Sequence, residues 1–226
     1  MSIPDIQQTK KIAAEKAVTY VENNMIVGLG TGSTAKFAIE FIGNRVAAGL
    51  KVQAVATSLE SEKLAKENNI ALLAEFKKID ITIDGADEVD DLGNLIKGGG
   101  GALTREKIVA TASKKEIIIV DEAKLVETLG AFPLAVEVLP FAWTFVKEKL
   151  KTLGCEVNLR KKSGEIFLTD NQNYILDCDF KRITEPRKLE REINSIPGVV
   201  ENGLFVGLTT LLIVGKADGT TQELTY

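Results

Sequence analysis

The sequence predicts an α/β protein: a mostly parallel sheet with helices on both faces, followed by a smaller α+β stretch with a ferredoxin-like order of elements. Two observations predict it. Short apolar runs alternate with helically spaced segments from Met25 to Val120, the pattern of strands joined by helical crossovers. Beyond Ala135 the order changes to strand, helix, strand, strand, helix, strand.

The elements follow in turn. Met25–Leu29 reads as a buried strand, and Thr34–Ala48 as a helix with Phe37, Phe41 and Ile42 at helical spacing. Val52–Ala56 is a second strand. Leu59–Glu67 is a helix whose start, Thr57-Ser58-Leu59-Glu60, has the capping-box pattern. Ile79–Ile83 alternates apolar and polar residues and ends at Asp84. Ala102–Ala112 is a helix and Glu116–Val120 a buried strand. Ala135–Leu139 is a strand, Phe141–Thr152 a helix, and Cys155–Arg160, Glu165–Thr169 and Tyr174–Asp179 are antiparallel strands. Arg187–Asn194 is a helix and Val199–Glu201 a short strand. Leu211–Gly215 and Thr221–Thr225, separated by Asp218-Gly219, read as a hairpin returning to the first sheet.

Composition narrows the function. The chain has 226 residues, 45% hydrophobic and 27% charged, near the average for globular proteins. No stretch approaches the ~18 apolar residues that span a bilayer. Met1-Ser2-Ile3-Pro4-Asp5 has no basic segment leading into an apolar run, so no signal peptide is expected. Cys155 and Cys178 make no disulfide framework and read as reduced thiols in the cytoplasm. A net charge of −4 argues against nucleic acid as a partner, and an anionic ligand would need a locally positive pocket. Histidine is absent, which excludes Ser-His-Asp and Cys-His catalysis and removes the commonest zinc ligand. Acid–base chemistry must rest on carboxylate, lysine, tyrosine or cysteine.

Four motifs follow strands. Gly28-Leu29-Gly30-Thr31-Gly32-Ser33-Thr34 joins a strand to a helix, where backbone N–H groups and hydroxyls suit a bound anion. It is no dinucleotide fingerprint, because Ser33 occupies the last glycine position, and no P-loop, because no Gly-Lys-Ser/Thr follows. Taken alone it reads equally as a tight turn. Asp84-Gly85-Ala86-Asp87-Glu88 lies at the carboxyl end of an apolar strand, where open α/β sheets bind ligands. As an acidic run it also reads as a solvated loop, and it fails the EF-hand spacing. Lys97-Gly98-Gly99-Gly100-Gly101 sets four costly glycines behind a lysine, which suits backbone lying against a ligand. Ala102-Leu103-Thr104-Arg105-Glu106-Lys107 places Glu106 in the first turn of a helix. There it reads first as a surface glutamate complementing the helix dipole.

Together these motifs resemble the A-type ribose-5-phosphate isomerase family. The resemblance also takes in Thr57-Ser58 with Ser61-Glu62, Asp121-Glu122-Ala123-Lys124, Phe132–Pro140, Thr169-Asp170-Asn171, Ile196–Val200 and Gly203-Leu204-Phe205. Asp-Gly-Ala-Asp-Glu, Lys-Gly-Gly-Gly and a glutamate nine residues beyond the lysine form a specific combination. Departures are small: Gly101 where alanine is common, Ala135 for a proline, Gln172 for a glycine, and no histidine near Asp177–Asp179.

The resemblance implies a Rossmann-like catalytic domain, 1–130 plus 205–226, and an inserted ferredoxin-like α+β domain, 131–204, that carries oligomer contacts. It implies a homodimer or homotetramer with a sugar-phosphate substrate and no cofactor; the proposed chemistry requires no metal, and composition adds a cytoplasmic setting with no membrane or nucleic-acid partner. The family's catalytic residues fall on Glu106, Asp84, Asp87 and Lys97. Its substrate contacts fall on Thr31, Gly32, Ser33, Thr34, Gly85, Ala86, Gly98, Gly99, Gly100 and Lys124, with Lys10 as a further phosphate contact. Glu106 would move a proton between C2 and C1 of ribose 5-phosphate through a cis-enediolate, while Lys97 and backbone N–H groups stabilise the oxyanion. The alternative of another class is a non-catalytic sugar-phosphate sensor. No DNA-binding segment is left over for it, and all four catalytic residue types are retained. The missing histidine disfavours an amino-sugar-phosphate deaminase. The surroundings of the glutamate disfavour a CoA transferase, and Ser33 disfavours a dehydrogenase.

Overall fold

A computed structural model describes residues 6–226. The Met1–Asp5 stretch, from which no signal peptide was expected, lies outside the described residues. Among those residues no helix is long and apolar enough to cross a membrane.

The chain divides into two compact units. The first comprises residues up to Ala86, Arg105–Lys124 and Leu208–Tyr226; the second comprises Asp87–Thr104 and Leu125–Gly207.

The first unit is built on a seven-stranded sheet. Its order is Thr221–Thr225, Leu211–Gly215, Glu116–Asp121, Ile81–Asp84, Ile26–Leu29, Gln53–Ala56, Ala71–Leu72. Every neighbouring pair is parallel except the hairpin at the first edge. Of the central strands, Glu116–Asp121 is buried at all six positions, and Ile26–Leu29 at all but Ile26. That is what the Ile-Ile-Ile-Val run requires of a parallel strand covered on both faces. Ile81–Asp84 is likewise buried throughout, so the alternation read from Ile79 does not mark a wet face. Ile79 contributes only an isolated bridge to Ser113.

Helix Ile6–Val18 has no counterpart in the sequence reading. Its buried face is Thr9, Ala13, Ala14, Ala17 and Val18, small residues that carry little periodic hydrophobic signal. The small face permits close approach: a Cβ on Gly215 would lie 1.9 Å from the Thr9 carbonyl oxygen. Helix Leu59–Glu67 has the bounds read from the sequence, but its N-cap is not the Thr57 that the capping box implies. Ser58 is the N-cap, its hydroxyl accepting from the Ser61 N–H at 3.0 Å. Thr57 is unavailable because its hydroxyl donates to the Leu29 carbonyl at 2.9 Å.

In the second unit a four-stranded antiparallel sheet runs Val199–Asn202, Leu134–Val138, Tyr174–Asp179, Glu156–Leu159. Numbered along the chain this is 4-1-3-2, the ferredoxin-like order. Helix Trp143–Lys151 joins the first of these strands to the second, and Pro186–Asn194 joins the third to the fourth, each crossing from a central strand to an edge. Glu165–Thr169 does not form a strand of this sheet. Only Glu165-Ile166 is extended, and it pairs with Lys161-Lys162 in an exposed ribbon. Ser163 and Gly164, both at positive φ, turn the chain too soon for it to return to the sheet. A further three-stranded sheet, Leu204–Phe205, Leu95–Ile96, Glu88–Val89, is too short in each strand to show in sequence. Cys155 and Cys178 are buried free thiols.

Two buried carboxylates anchor loops in this unit. Glu88 accepts the Gly130 N–H at 2.7 Å and the Phe132 N–H, so it is a structural residue rather than part of a solvated run. Glu137 is 0% exposed. It accepts from the Thr104 hydroxyl at 2.6 Å, the Thr169 hydroxyl at 2.9 Å, and the side-chain amides of Asn171 and Asn173 at 3.2 and 2.9 Å. A buried charge is tolerated only when so fully hydrogen-bonded.

Glu137→Ala strands those donors and should lower unfolding stability by about 3 kcal/mol, read from urea denaturation. A second prediction concerns pH. Asp80 accepts from the Lys114 ammonium at 2.7 Å and the Ile26 N–H at 2.9 Å. The lysine first, then the N–H, hold its carboxyl below the ordinary value. The stabilisation is therefore present above the unfolded carboxyl pKa of about 3.9 and is lost as pH falls through the lower folded value. The stability difference between the parent and Asp80→Asn should stay constant near neutrality and shrink below about pH 4.

Candidate active site

In the first unit the strand order reverses between Ile26–Leu29 and Ile81–Asp84, whose neighbours lie on opposite sides. The carboxyl ends of two such strands form the usual ligand crevice of an open α/β sheet. One strand leads into Gly30-Thr31-Gly32-Ser33-Thr34, and the other ends at Asp84.

The two ends are locked together. Gly30 donates its N–H to the Ile83 carbonyl at 3.0 Å. Asp84 is 1% exposed, and its Oδ1 accepts the Thr31 N–H at 3.1 Å and the Gly85 N–H at 2.7 Å. A Cβ on residue 30 would stand 2.2 Å from that oxygen, so only glycine fits. The Thr31 hydroxyl is turned into a cluster, 2.7 Å from that of Thr57, 2.8 Å from that of Ser58 and 3.2 Å from that of Ser61. Ser61 in turn donates to the Gly30 carbonyl at 2.6 Å. Thr31 therefore has both its N–H and its hydroxyl engaged within the protein, and Thr57, Ser58 and Ser61 back the loop.

Gly32 and Ser33 are exposed at the start of helix Ser33–Ala47, and no side chain caps that helix. Uncapped first-turn N–H groups, with the dipole behind them, suit an anion. The Lys10 ammonium, from helix Ile6–Val18, donates to the Ser33 hydroxyl at 3.1 Å and adds positive charge there. Thr34 is buried, and Gly85 and Ala86 are half-buried after the strand. Lys124 ends a short 3-10 helix, Glu122–Lys124, just beyond strand Glu116–Asp121. Glu106 occupies the first turn of helix Leu103–Ala112 and is 4% exposed. It is thus no surface residue facing the helix dipole; a carboxyl is held inside the protein at a helix N-terminus.

The second unit holds the other half of the motif residues. Asp87 donates its N–H to the Ile96 carbonyl at 2.8 Å, and its Oδ2 accepts the Gly99 N–H at 2.8 Å. Lys97 is 2% exposed, with its ammonium 5.4 Å from the centre of the Phe205 ring, within cation–π range. Gly98 to Gly101 form a turn closed by the Gly101 N–H to the Gly98 carbonyl at 3.0 Å. Protein packing itself asks for glycine here. Gly101 has φ +83°, and a Cβ on it would lie 2.5 Å from the Phe167 ring. Gly99 and Gly100 are exposed. Arg160 reaches this turn, donating from Nη1 to the Gly98 carbonyl at 2.8 Å and the Gly99 carbonyl at 3.2 Å. Local motifs give no sign of it, because it lies about sixty residues downstream. Among the described residues no group of three or more potential ligands is arranged to hold a metal ion.

Comparison with known proteins adds the family. The family model described as ribose 5-phosphate isomerase A (phosphoriboisomerase A) matches residues 53–219. A ribose-5-phosphate isomerase A of Gloeobacter violaceus is 53% identical over 220 residues, 95% of this chain and 95% of its own length. A solved ribose 5-phosphate isomerase from Plasmodium falciparum is 44% identical with a TM-score of 0.94, covering 97% of this chain and 99% of its own. A D-ribose-5-phosphate isomerase solved in complex with phospho-erythronic acid is 39% identical with a TM-score of 0.95, covering 98% and 100%. A sheet that reverses its order at Gly30 and Asp84, a buried Glu106 and near-full-length similarity on this scale lead to one assignment: the chain belongs to the ribose 5-phosphate isomerase A family.

Proposed function

We propose that this chain interconverts D-ribose 5-phosphate and D-ribulose 5-phosphate, with Glu106 as the base. The observation that carries the reading is the buried carboxyl of Glu106 in a helix first turn, in a chain with no histidine to serve instead. One of the pair Asp84 and Asp87 takes the anomeric hydroxyl proton while an acid protonates the ring oxygen, which opens the sugar. Glu106 removes the proton from C2 and C1–O gains charge as the cis-enediolate forms. The protonated Glu106 then delivers that proton to C1, and the hydroxyl proton passes from O2 to O1, so the carboxylate is regenerated. Lys97 and the exposed backbone N–H of Gly100 stabilise the developing oxyanion, where one donor is worth about 3–4 kcal/mol. Phosphate is held at the N-terminus of helix Ser33–Ala47 by Gly32, Ser33 and Thr34, with Lys10 and Lys124 supplying charge. Thr31 serves there mainly through the shape it gives the loop, and Gly85 and Ala86 line the approach.

The ligand of the related structure supports an enediolate. Phospho-erythronic acid carries a planar carboxylate whose two oxygens and negative charge imitate a cis-enediolate. We assign catalysis to residues 1–130 plus 205–226, and self-association into dimers or tetramers to 131–204. There Phe141 is 98% exposed beside the half-exposed Leu139 and Phe145. A cytoplasmic setting accords with two buried thiols left unpaired.

The deciding assay follows ribose 5-phosphate to ribulose 5-phosphate in EDTA. The parent should turn over, and Glu106→Gln should lose about 100- to 10,000-fold in kcat with KM little changed. A folded parent that binds sugar phosphate without converting it would make the chain a sensor. Lys124→Ala should instead raise KM and leave kcat near the parent value, since phosphate binding is shared by ground and transition states. Equal losses of kcat in both variants would sink this division of roles.

A further inference from the structure

The peptide between Gly98 and Gly99 is held at both ends. Its carbonyl accepts from Arg160 Nη1 at 2.8 Å, and its N–H donates to Asp87 Oδ2 at 2.8 Å. The next carbonyl, that of Gly99, also faces Arg160, at 3.2 Å. In a trans peptide the N–H points opposite to the carbonyl. Drawing the Gly99 carbonyl to Arg160 therefore turns the Gly100 N–H away from it. Gly100 is exposed, and its N–H finds no acceptor among the described residues.

Arg160 is itself fixed. Its Nε donates to Asp177 Oδ2 at 2.9 Å, and its Nη2 pairs with Asp177 Oδ1, a two-pronged ion pair. The guanidinium carbon lies 5.9 Å from the centre of the Phe167 ring, the ring that also packs beneath Gly101. The Arg160 N–H donates to the Ile175 carbonyl at 2.9 Å, and its carbonyl accepts the Phe167 N–H at 3.0 Å. The side chain keeps only 14% of its surface exposed, and Asp177 keeps 25%. Ordering a four-glycine turn costs more backbone entropy than ordering any other four residues. A bare turn of that kind would sample many orientations, and the three donors and acceptors described here select one.

We propose that Arg160, aligned by Asp177, is a positioning residue for the isomerase reaction. It fixes the Gly98–Gly100 backbone so that the exposed Gly100 N–H is turned outward as a donor for the developing oxyanion and Asp87 is held by the same peptide. The proposal rests on the isomerase reading of the site. Arg160 touches no substrate in this scheme and acts only through the turn. Lysine cannot replace it, because an ammonium lacks the planar fork that serves Asp177 and two carbonyls at once.

The test uses the full chain with Arg160→Ala, Arg160→Lys and Asp177→Asn. Arg160→Ala should lose about 100-fold in kcat, the effect of a misplaced catalytic group, with KM little changed. Millimolar guanidinium, but not equal sodium chloride, should restore at least about tenfold by refilling the vacated site. Arg160→Lys should remain impaired, and Asp177→Asn should fall in the same direction by less. Amide hydrogen exchange at Gly99 and Gly101 should speed up in Arg160→Ala, while that of Ile117–Val120 stays as in the parent. A kcat near the parent value overturns the proposal, as does a loss that guanidinium leaves unrelieved. Should Arg160→Ala fail to fold, Asp177→Asn decides, and an unchanged kcat there overturns it. Failure of the isomerase reading is distinct: the parent itself would be inactive, and the exchange rates alone would then judge the clamp.

Discussion

The Asp84 carboxylate spans the gap between two parallel strands at the point where the sheet's order reverses. It does so at 1% exposure, its Oδ1 shared by the N–H groups of Thr31 and Gly85. A reversal in strand order pulls the following connections apart and leaves a crevice. The carboxylate keeps that crevice from being loose. It sets the path of the chain leaving Leu29, and that path decides where helix Ser33–Ala47 begins. The cluster of Thr31, Thr57, Ser58 and Ser61 seals the same loop from behind. Each hydroxyl there bonds a neighbour, so the loop is shaped by short polar contacts rather than by apolar packing, and it stays accessible on top.

The second unit repeats the principle with other residues. Glu88, Glu137 and the Arg160–Asp177 pair are charged groups that organise irregular backbone by multiple hydrogen bonds. Loops cannot satisfy their own polar groups as helices and sheets do. A charge withdrawn from water and given several partners specifies one loop conformation, because every alternative leaves that charge stranded. The loops around Gly98–Gly101, Gly130–Phe132 and Thr169–Asn173 all depend on such a centre.

Much of this was legible in the chain because it is local. The runs at Ile117–Val120 and Leu211–Gly215 are apolar at every position, and only a strand buried on both faces wants that. Strand Tyr174–Asp179 and helix Leu59–Glu67 have the bounds the pattern predicts. The motif residues around Asp84, Lys97 and Glu106 stand out as unusual combinations, though the chemistry proposed for them rests on family resemblance. What escaped was settled by partners distant in sequence. Helix Ile6–Val18 hides because its buried face is mostly alanine, with Thr9 at the point where the helix backbone lies against Gly215. Thr57 loses its cap because Leu29 claims its hydroxyl. Glu106 looked like a surface residue, since burial of one carboxyl depends on tertiary surroundings. Arg160 had no mark at all, being an ordinary residue at the end of a short strand.

The path of the chain through the large sheet has a consequence for synthesis. Strand Leu211–Gly215 lies beside Glu116–Asp121, yet the residues of the second unit from Leu125 to Gly207 separate them along the chain. A ribosome therefore delivers the whole of the second unit before the strand that covers the flank of Glu116–Asp121. Until then that strand, with Ile117, Ile118 and Ile119, presents an unpaired apolar edge, the kind of surface that recruits other chains. The ferredoxin-like sheet closes from strands already made, whereas the large sheet waits for its last hairpin. Nascent chains are accordingly most vulnerable to aggregation late in synthesis, and a holding chaperone would act on the larger unit.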